Sequence, residues 1–241
     1  GRGAVVGDVL SNLYEFNGYK VNREYYVNNT GNQINEFLSS LLFSISEKYN
    51  LSLPFKQFYK GDYIKEIADS CYQEFKVLFK ADISDDQKIQ IVDFAIKNLV
   101  AKSLSVLKST NINFNSIIYE TEIMQKDHFS KALSILKENN LVYEGKLQQP
   151  KDYDQTKKDN NILIFRSSQF GDDEDRALTK NDGTPTYFAN DVAYHLDKVH
   201  RGFDILINIW GADHLGYLTR LKSALTSVHK EIDFKVVFCQ I

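Results

Sequence analysis

The sequence predicts an α/β fold, with a Rossmann-like parallel sheet and a mainly helical insertion. The first observation is a βαβ ending, in which a helix over 187–199 precedes a strand over 204–210, a helix over 214–229 and a strand over 234–240. The second is a middle region, 33–108, whose apolar residues recur mostly at helical spacing. The third is that 43% of the 241 residues are hydrophobic, which is enough for a sizeable core.

The first predicted element is a helix over 4–17. Its apolar residues recur at helical spacing, namely Val5, Val6, Val9, Leu10, Leu13 and Phe16. Gly18 is a natural end for this helix, because glycine readily adopts the left-handed conformation of a helix C-terminus. A strand over 20–27 and a turn over 28–32 follow.

The middle of the chain is predicted to be mostly helical. Ser84–Asp86 is typical of a helix start, since acidic residues favour the first turn. The apolar stripe of that helix is predicted to include Ile89, Val92, Ile96 and Leu99. A short strand near 112–119, a helix over 129–139 and a polar loop over 145–160 come next.

The last third begins with a predicted strand over 162–165 and a hairpin turn at Lys180–Gly183, where Asp-Gly supplies the positive φ that such turns need. We divide the chain accordingly into three parts. Residues 1–34 are the first part of the sheet domain, 35–160 are the helical inserted module, and 161–241 are the second half of the sheet domain.

Composition excludes several classes of protein. The net charge of −3 and the pI near 6.0 give no basic field over the whole chain for nucleic acid, although a local patch would suffice for an RNA partner. The two cysteines lie far apart without metal or redox spacing, which fits a reducing compartment. No apolar run approaches the roughly 18 residues of a membrane span. The histidines show no zinc pattern, so no metal site is predicted.

A turn with an acid and an imidazole follows the predicted strand over 204–210. It reads Gly211-Ala212-Asp213-His214, and it lies at the carboxyl end of that strand. In open α/β sheets this edge is where nucleotides and substrates bind. The sequence therefore predicts a site for chemistry there.

Three other patterns each leave two interpretations open. The glycine-rich start, Gly1–Asp8, fits either close helix packing or backbone N–H groups that face phosphate. Tyr187 and Asp191 share a helix face, and a carboxylate beside a phenol suits a planar cation, but an ordinary solvated face has the same spacing. The acidic run Asp172–Asp175 fits a solvated loop better than a metal site.

Three ordered blocks of this sequence resemble arginyl-tRNA synthetases, which are class I aminoacyl-tRNA ligases. They are GRGAVVGDVLSNLYEFNGYKVNREYYVNNTGNQI, FGDDEDRALTKNDGTPTYFANDVAYHLDKVHRGFD and INIWGADHLGYLTRLKSAL. The blocks cover Gly1–Ile34 and Phe170–Leu225, and the stretch between them is similar to the family's inserted module. The resemblance implies a class I catalytic domain that activates L-arginine to arginyl-adenylate with ATP and Mg²⁺, and then transfers the arginyl group to tRNA(Arg).

The resemblance also implies residue roles. Tyr187 and Asp191 match the pair that holds the arginine guanidinium, and Glu120 matches a glutamate near the amino acid. The turn that lines the adenosine and substrate pocket is matched by Gly211, Asp213 and His214. The edge that binds the ATP phosphates is matched by Gly1, Arg2 and Gly3. No residue is assigned a catalytic role.

The sequence departs from the family in three places. Asn29 stands where the family often has Asp, Glu174 stands where a basic residue is common, and 160–165 replaces a Trp-containing apolar run. A non-catalytic relative or degenerate remnant that binds RNA or protein is the alternative, and another class I ligase is a weaker one.

The resemblance further implies a monomeric, cytoplasmic parent protein without a membrane partner. We expect the two family signatures, His-x-Gly-His and a Lys-Met-Ser-Lys-Ser-like loop, to flank this segment. The 241 residues alone are therefore expected to be inactive.

Overall fold

The chain packs into two compact units. The first unit comprises Gly1–Leu13 and Glu122–Ile241, and the second comprises Tyr14–Thr121. The computed structural model describes residues 1–80, 82–125, 127–147 and 161–239. The division into 1–34, 35–160 and 161–241 stays a prediction. It separates the segments that resemble the family from the segment that does not, whereas these two units are defined by packing.

The helices and strands follow one another along the described residues with the bounds given next. They are α1 Arg2–Phe16, β1 Glu24–Val27, α2 Asn32–Tyr49, α3 Asp62–Phe75, α4 Asp85–Ser109, β2 Ser116–Tyr119, α5 Glu120–Gln125, α6 His128–Glu138, β3 Val142–Gly145, β4 Ile162–Phe165, β5 Arg176–Ala177, α7 Tyr187–His200, β6 Ile205–Gly211, α8 Leu218–Val228 and β7 Asp233–Cys239. Short 3-10 segments cover Leu78–Lys80, Ser167–Phe170 and Ala212–Tyr217.

The predicted turns are present where glycine was expected to permit them. Gly18 follows α1 with a φ of 87°, which is the left-handed conformation predicted for that position. Gly183 has a φ of 82°, and Thr179 bridges to the antiparallel Pro185 across the predicted turn. The polar loop predicted over 145–160 lies largely outside the described residues.

The second unit is a helical cluster with one parallel strand pair. β1 pairs with β2 in the register Glu24↔Ser116 to Val27↔Tyr119. α2, α3 and α4 pack together around fully or almost fully buried side chains, which include Leu41, Leu42, Ile45, Ile64, Ile67, Cys71, Ile91 and Ala95. Burial raises the pKa of the Cys71 thiol to about 12, so this cysteine stays protonated as a small core residue.

Helix α4 begins where the sequence predicts, but its buried face is shifted. The Ser84 hydroxyl accepts a hydrogen bond from the Gln87 N–H at 3.3 Å, and the Gln87 side chain accepts one from the Ser84 N–H at 2.9 Å, which is a capping box. The predicted stripe is wrong at Ile89, which is 62% exposed, whereas Ile91 is fully buried. The contact of α4 with its neighbours is centred on the line of Ile91 and Ala95, so Ile89 falls outside it.

The first unit confirms the predicted α/β fold. β6 pairs with β7 in parallel, from Ile205↔Asp233 to Gly211↔Cys239, and α8 is the crossover between them. α7 packs against α6 and α8. A three-stranded antiparallel sheet with the order β3-β4-β5 completes the unit. The predicted helix over 214–229 begins only at Leu218, because a 3-10 segment precedes it.

Candidate functional site

The start of α7 is fixed by Thr186. Its hydroxyl accepts a hydrogen bond from the Ala189 N–H at 3.2 Å and donates one to the carbonyl of Ala177 at 2.8 Å. A capping threonine satisfies an otherwise unpaired N–H of the first turn, and here it also joins the helix to β5. Tyr187 is thereby placed at the first position of the helix with a side chain that is 62% exposed.

Asp191 lies one turn after Tyr187 on the same helix. Burial raises the pKa of its carboxyl group, while the nearby Tyr217 hydroxyl, Lys198 and His214 lower it. These influences show that the structure brings Asp191, Tyr217 and His214 together. Because burial is the largest influence and the balance still raises the pKa of Asp191, the carboxylate is incompletely compensated, and a bound cation would stabilise its charged form.

Tyr217 is a site residue that the sequence reasoning missed. Its ring contacts Phe188 of α7, with centroids 6.4 Å apart, and Trp210 of β6, at 5.9 Å. These contacts hold its hydroxyl beside Asp191. Its position just after the Gly211–His214 turn was the available signal. Its side-chain direction depends on the 3-10 segment, which the sequence analysis predicted as α-helix.

The Gly211–His214 turn lies at the carboxyl edge of the parallel pair. Gly211 is the last residue of β6 and pairs with Cys239 of β7. His214 is exposed, and its ring centroid lies 6.0 Å from that of Trp210. Asp213 lies in the 3-10 segment, but its side chain is outside the described part of the structure, so its role stays a prediction.

The glycines of α1 face the strand that leads to this turn. A Cβ added at Gly3 would lie 3.5 Å from Cγ2 of Ile209, and one added at Gly7 would lie 3.4 Å from its Cγ1. The structure therefore shows close packing of α1 on β6, while phosphate binding by Gly1, Arg2 and Gly3 stays a prediction. The first turn of α1 contains no acidic side chain that would oppose an anion.

Glu120 belongs to the second unit, whereas the other predicted site residues belong to the first. It directly follows β2, is only 6% exposed, and begins α5. Next to it, the Asn29 amide donates to the Thr121 hydroxyl at 2.7 Å and accepts from the Thr121 N–H at 3.0 Å. Asn29, a departure from the family, thus joins the carboxyl ends of β1 and β2.

The acidic run before β5 is a loop in which Asp173 and Glu174 are exposed, as predicted, but the buried Asp172 pairs with an arginine instead of facing solvent. Arg176 donates from Nε and Nη2 to the two carboxylate oxygens of Asp172, both at 2.8 Å, and it also contacts Asp173 and Glu174. Although burial raises the pKa of Asp172, hydrogen bonds from Arg176 and Asp173 lower it to about 2. Within the described residues, no group of three His, Cys, Asp or Glu side chains could hold a metal ion.

A parallel βαβ unit with a polar turn at its carboxyl edge is the architecture of open α/β domains, in which ligands bind at that edge. The family model for tRNA synthetases class I (R), catalytic domain, matches residues 1–214. The chain belongs to this family of class I synthetases.

Curated relatives agree with the family model. The chain is 42% identical to the arginine–tRNA ligase of Pelagibacter ubique, over 100% of this chain and 42% of that protein. It is 37% identical to the arginine–tRNA ligase of Anaplasma marginale, over 93% of this chain and 39% of that protein. The chain therefore spans only about two fifths of the length of these relatives.

Solved structures show the same fold. A Campylobacter jejuni protein described as an arginyl-tRNA synthetase superposes with a TM-score of 0.81 at 34% identity, covering 100% of this chain and 50% of that one. The arginyl-tRNA synthetase of Plasmodium falciparum superposes with a TM-score of 0.64 at 15% identity, covering 99% and 39%. This second likeness shows the fold alone. Among the described residues, no helix combines the length and apolar character needed to cross a bilayer.

Proposed function

We propose that the whole protein is an arginine–tRNA ligase, which activates L-arginine with ATP and transfers it to tRNA(Arg). The observation that carries the proposal is the partly buried carboxylate of Asp191, on the same helix face as Tyr187 and near His214. The identity with arginine–tRNA ligases favours this function over a non-catalytic relative.

Asp191 supplies the selectivity in this proposal. A carboxylate can accept two parallel hydrogen bonds from a guanidinium, and such charge-assisted bonds are stronger than neutral ones. A partly buried carboxylate left without a cation is unfavourable, so an amino acid with a neutral side chain would be rejected. Tyr187 is exposed at the start of α7, where its phenol can contact the bound guanidinium.

ATP is proposed to bind at the carboxyl edge of β6. Gly211, Asp213 and His214 would line the adenosine and substrate pocket, while the start of α1 at Gly1, Arg2 and Gly3 would offer backbone N–H groups to the phosphates. Mg²⁺ would enter with ATP. Glu120 is proposed as a further amino-acid contact on the resemblance alone. The monomeric state and cytoplasmic location also stay predictions of the resemblance.

The proposed reaction is the two-step aminoacylation that the resemblance implies. The arginine carboxylate attacks the α-phosphate of ATP, pyrophosphate leaves, and the resulting arginyl-adenylate transfers its arginyl group to the terminal adenosine of the tRNA. The described residues contribute by holding the two substrates in line and by keeping the guanidinium paired. Stabilisation of the charge that develops at the phosphates would come from preorganised donors at this edge.

The test is Asp191→Asn in the full-length protein. Loss of the charge-assisted pair should cost about 1.5–3 kcal/mol, which is a rise of roughly 10- to 150-fold in the KM for arginine in tRNA-dependent ATP–pyrophosphate exchange. The KM for ATP should stay near its wild-type value.

Asp197→Asn is the matched control, because Asp197 lies on the same helix but pairs with Arg201 at 2.9 Å. An equal rise of the arginine KM in both variants would place the guanidinium elsewhere. A full-length wild-type protein without arginine-dependent exchange would favour the non-catalytic relative.

A further inference from the structure

His195 is buried on α7, one turn beyond Asp191, and both of its ring nitrogens are engaged. Nδ1 lies 2.7 Å from the carbonyl oxygen of Asp191, and Nε2 lies 2.8 Å from Nδ2 of Asn208. A carbonyl oxygen only accepts, so the Nδ1–H donates to Asp191 and Nε2 accepts from the Asn208 amide. Burial lowers the pKa of His195 to about 3, which keeps the ring neutral and fixes this tautomer.

This pair of hydrogen bonds connects the two elements that carry the candidate site. Asp191 and His195 belong to α7, whereas Asn208 belongs to β6 and lies three residues before Gly211. Asn208 is itself only 9% exposed. The His195 ring also packs edge-to-face on Phe234 of β7, with centroids 5.6 Å apart. One side chain of the helix therefore contacts both strands of the parallel pair.

The hydrogen bond between His195 and Asn208 restrains sliding of α7 along β6, which apolar packing restrains only weakly. The apolar side chains between α7 and the strands, such as Val192 and Leu206, attract without a preferred direction, so they resist separation more than sliding. A hydrogen bond between two buried side chains has a required distance and angle, so it sets the position of the helix along the strand.

We propose that His195 and Asn208 are positioning residues, which hold the Tyr187–Asp191 face of α7 in register with the Gly211–His214 turn of β6. This inference rests on the proposed arginine site. His195 does not touch substrate in this proposal. It acts through the backbone of Asp191 and through the strand that ends at Gly211. Loss of the hydrogen bond between His195 and Asn208 should displace the Asp191 carboxylate, which binds the guanidinium, relative to the Gly211–His214 turn, where ATP is proposed to bind.

The experiment uses the full-length protein with His195→Leu and Asn208→Leu, each of which removes the bond while keeping side-chain bulk. We expect the KM for arginine to rise about fivefold or more in tRNA-dependent ATP–pyrophosphate exchange, because small misplacements at a reacting site have large kinetic effects. The kcat at saturating arginine should fall as well, because a displaced Asp191 holds the arginine carboxylate out of line with the α-phosphate of ATP, whereas the KM for ATP should change less than about twofold.

His200→Leu is the matched control. The Nδ1 of His200 makes the same type of bond to the carbonyl of Leu196 at 2.8 Å, but His200 is exposed and shows no bond to β6. Its arginine KM should stay at the wild-type value. Folded His195→Leu and Asn208→Leu proteins with an unchanged arginine KM and only a lower melting temperature would overturn the inference.

Asn208→Asp serves if the leucine variants fail to fold. In this variant the new carboxylate can form a hydrogen bond with Nε2 of His195 only if one of the two groups carries a proton. That proton is lost as the pH rises, so the arginine KM of the variant, divided by that of the wild type, should increase from pH 6 to pH 8.5. A ratio that does not change with pH overturns the inference.

Asp191→Asn separates the two proposals. An unchanged arginine KM in that variant would refute the arginine site itself. A raised KM there, together with unchanged KM values in the His195 and Asn208 variants, would refute the positioning role alone.

Discussion

At the scale of the residue, Asp191 is held between two opposing influences. Its surroundings disfavour the charged carboxylate, while the hydroxyl of Tyr217 and the charges of Lys198 and His214 favour it. The balance raises the pKa of Asp191 above that of a solvated aspartate. Arginine binding should therefore weaken as the pH falls through this raised pKa, because the protonated acid no longer attracts a guanidinium.

Tyr217→Phe should shift that weakening to higher pH. Removal of the hydroxyl deletes a nearby polar group that favours the charged form of Asp191, so the pKa of Asp191 rises further. In the full-length protein, the acid limb of the kcat/KM profile for arginine should move to higher pH. The loss of kcat/KM relative to the wild type should be smaller on the high-pH plateau than on the acid limb. The measurement is the pH profile of arginine-dependent pyrophosphate exchange.

Tyr143→Phe provides the control for this profile. The Tyr143 hydroxyl also donates to a carboxylate, that of Asp175 at 3.0 Å, but on another part of the first unit. Its removal should leave the acid limb in place. If the two variants shift the limb equally, Tyr217 does not act on Asp191.

The sequence could predict some members of the candidate site and not others. Residues four apart lie on the same face of any helix, so the sequence could predict that Tyr187 and Asp191 lie close together. The bond between His195 and Asn208 joins residues on different elements, and no local pattern encodes it. Tyr217 was missed because the direction of its side chain depends on the 3-10 segment before α8.

At the scale of the element, the loop before β5 is built around an internal ion cluster. Arg176 is bound bidentately by Asp172, and Asp175 accepts hydrogen bonds from the N–H and hydroxyl of Ser168. The Asp172 side chain is only 3% exposed, so solvent screens this pair weakly. The cluster orders the segment that leads into α7.

Asp172→Asn should destabilise the protein in a pH-dependent way. The pKa of Asp172 is lowered to about 2, so its contribution is present above the pKa of the unfolded chain, near 4, and is lost as the pH falls toward 2. The free energy of unfolding should fall by about 2 kcal/mol near pH 7, and the difference from wild type should shrink between roughly pH 4 and 2.

Urea unfolding over that pH range measures the effect. Asp173→Asn is the control, because its side chain contacts the same arginine but is 82% exposed, and exposed pairs contribute little. Equal losses in the two variants would mean that burial of Asp172 does not set its contribution.

Helix α4 shows why the elements were easier to predict than their buried faces. Ser84 and Gln87 set the helix start through hydrogen bonds between residues three apart, so the sequence alone predicts it. Which apolar residues of the helix become buried depends instead on which helices pack against it. Both Ile89 and Ile91 are apolar, and only the packing of α2 and α3 decides that Ile91 is the buried one.

At the scale of the whole molecule, the two units differ in continuity. The second unit is one uninterrupted stretch, Tyr14–Thr121, whereas the first is assembled from Gly1–Leu13 and Glu122–Ile241. Contacts close in sequence form faster than distant ones, because less loop entropy is lost when they close. The helices of the second unit should therefore form before α1 packs on β6.

Pulse-labelled hydrogen exchange during refolding tests this order. Amides of α2, α3 and α4 should gain protection earlier than those of residues 4–10 in α1, while α7 and α8 provide the comparison within the continuous part of the first unit. Protection of residues 4–10 in the same phase as α2 would contradict the expected order. Gly7→Ala, whose Cβ would meet Ile209 at an ordinary 3.4 Å, should leave the order unchanged.

The contact of Gly3 and Gly7 with Ile209 has a consequence for the nascent chain during synthesis. About 200 residues separate these glycines from their partner strand. At a synthesis rate of about 5–20 residues per second, α1 would wait on the order of 10–40 s before β6 has been made. During that interval Val6 and Leu10, apolar residues of α1 that are partly buried in the folded chain, are available to chaperones.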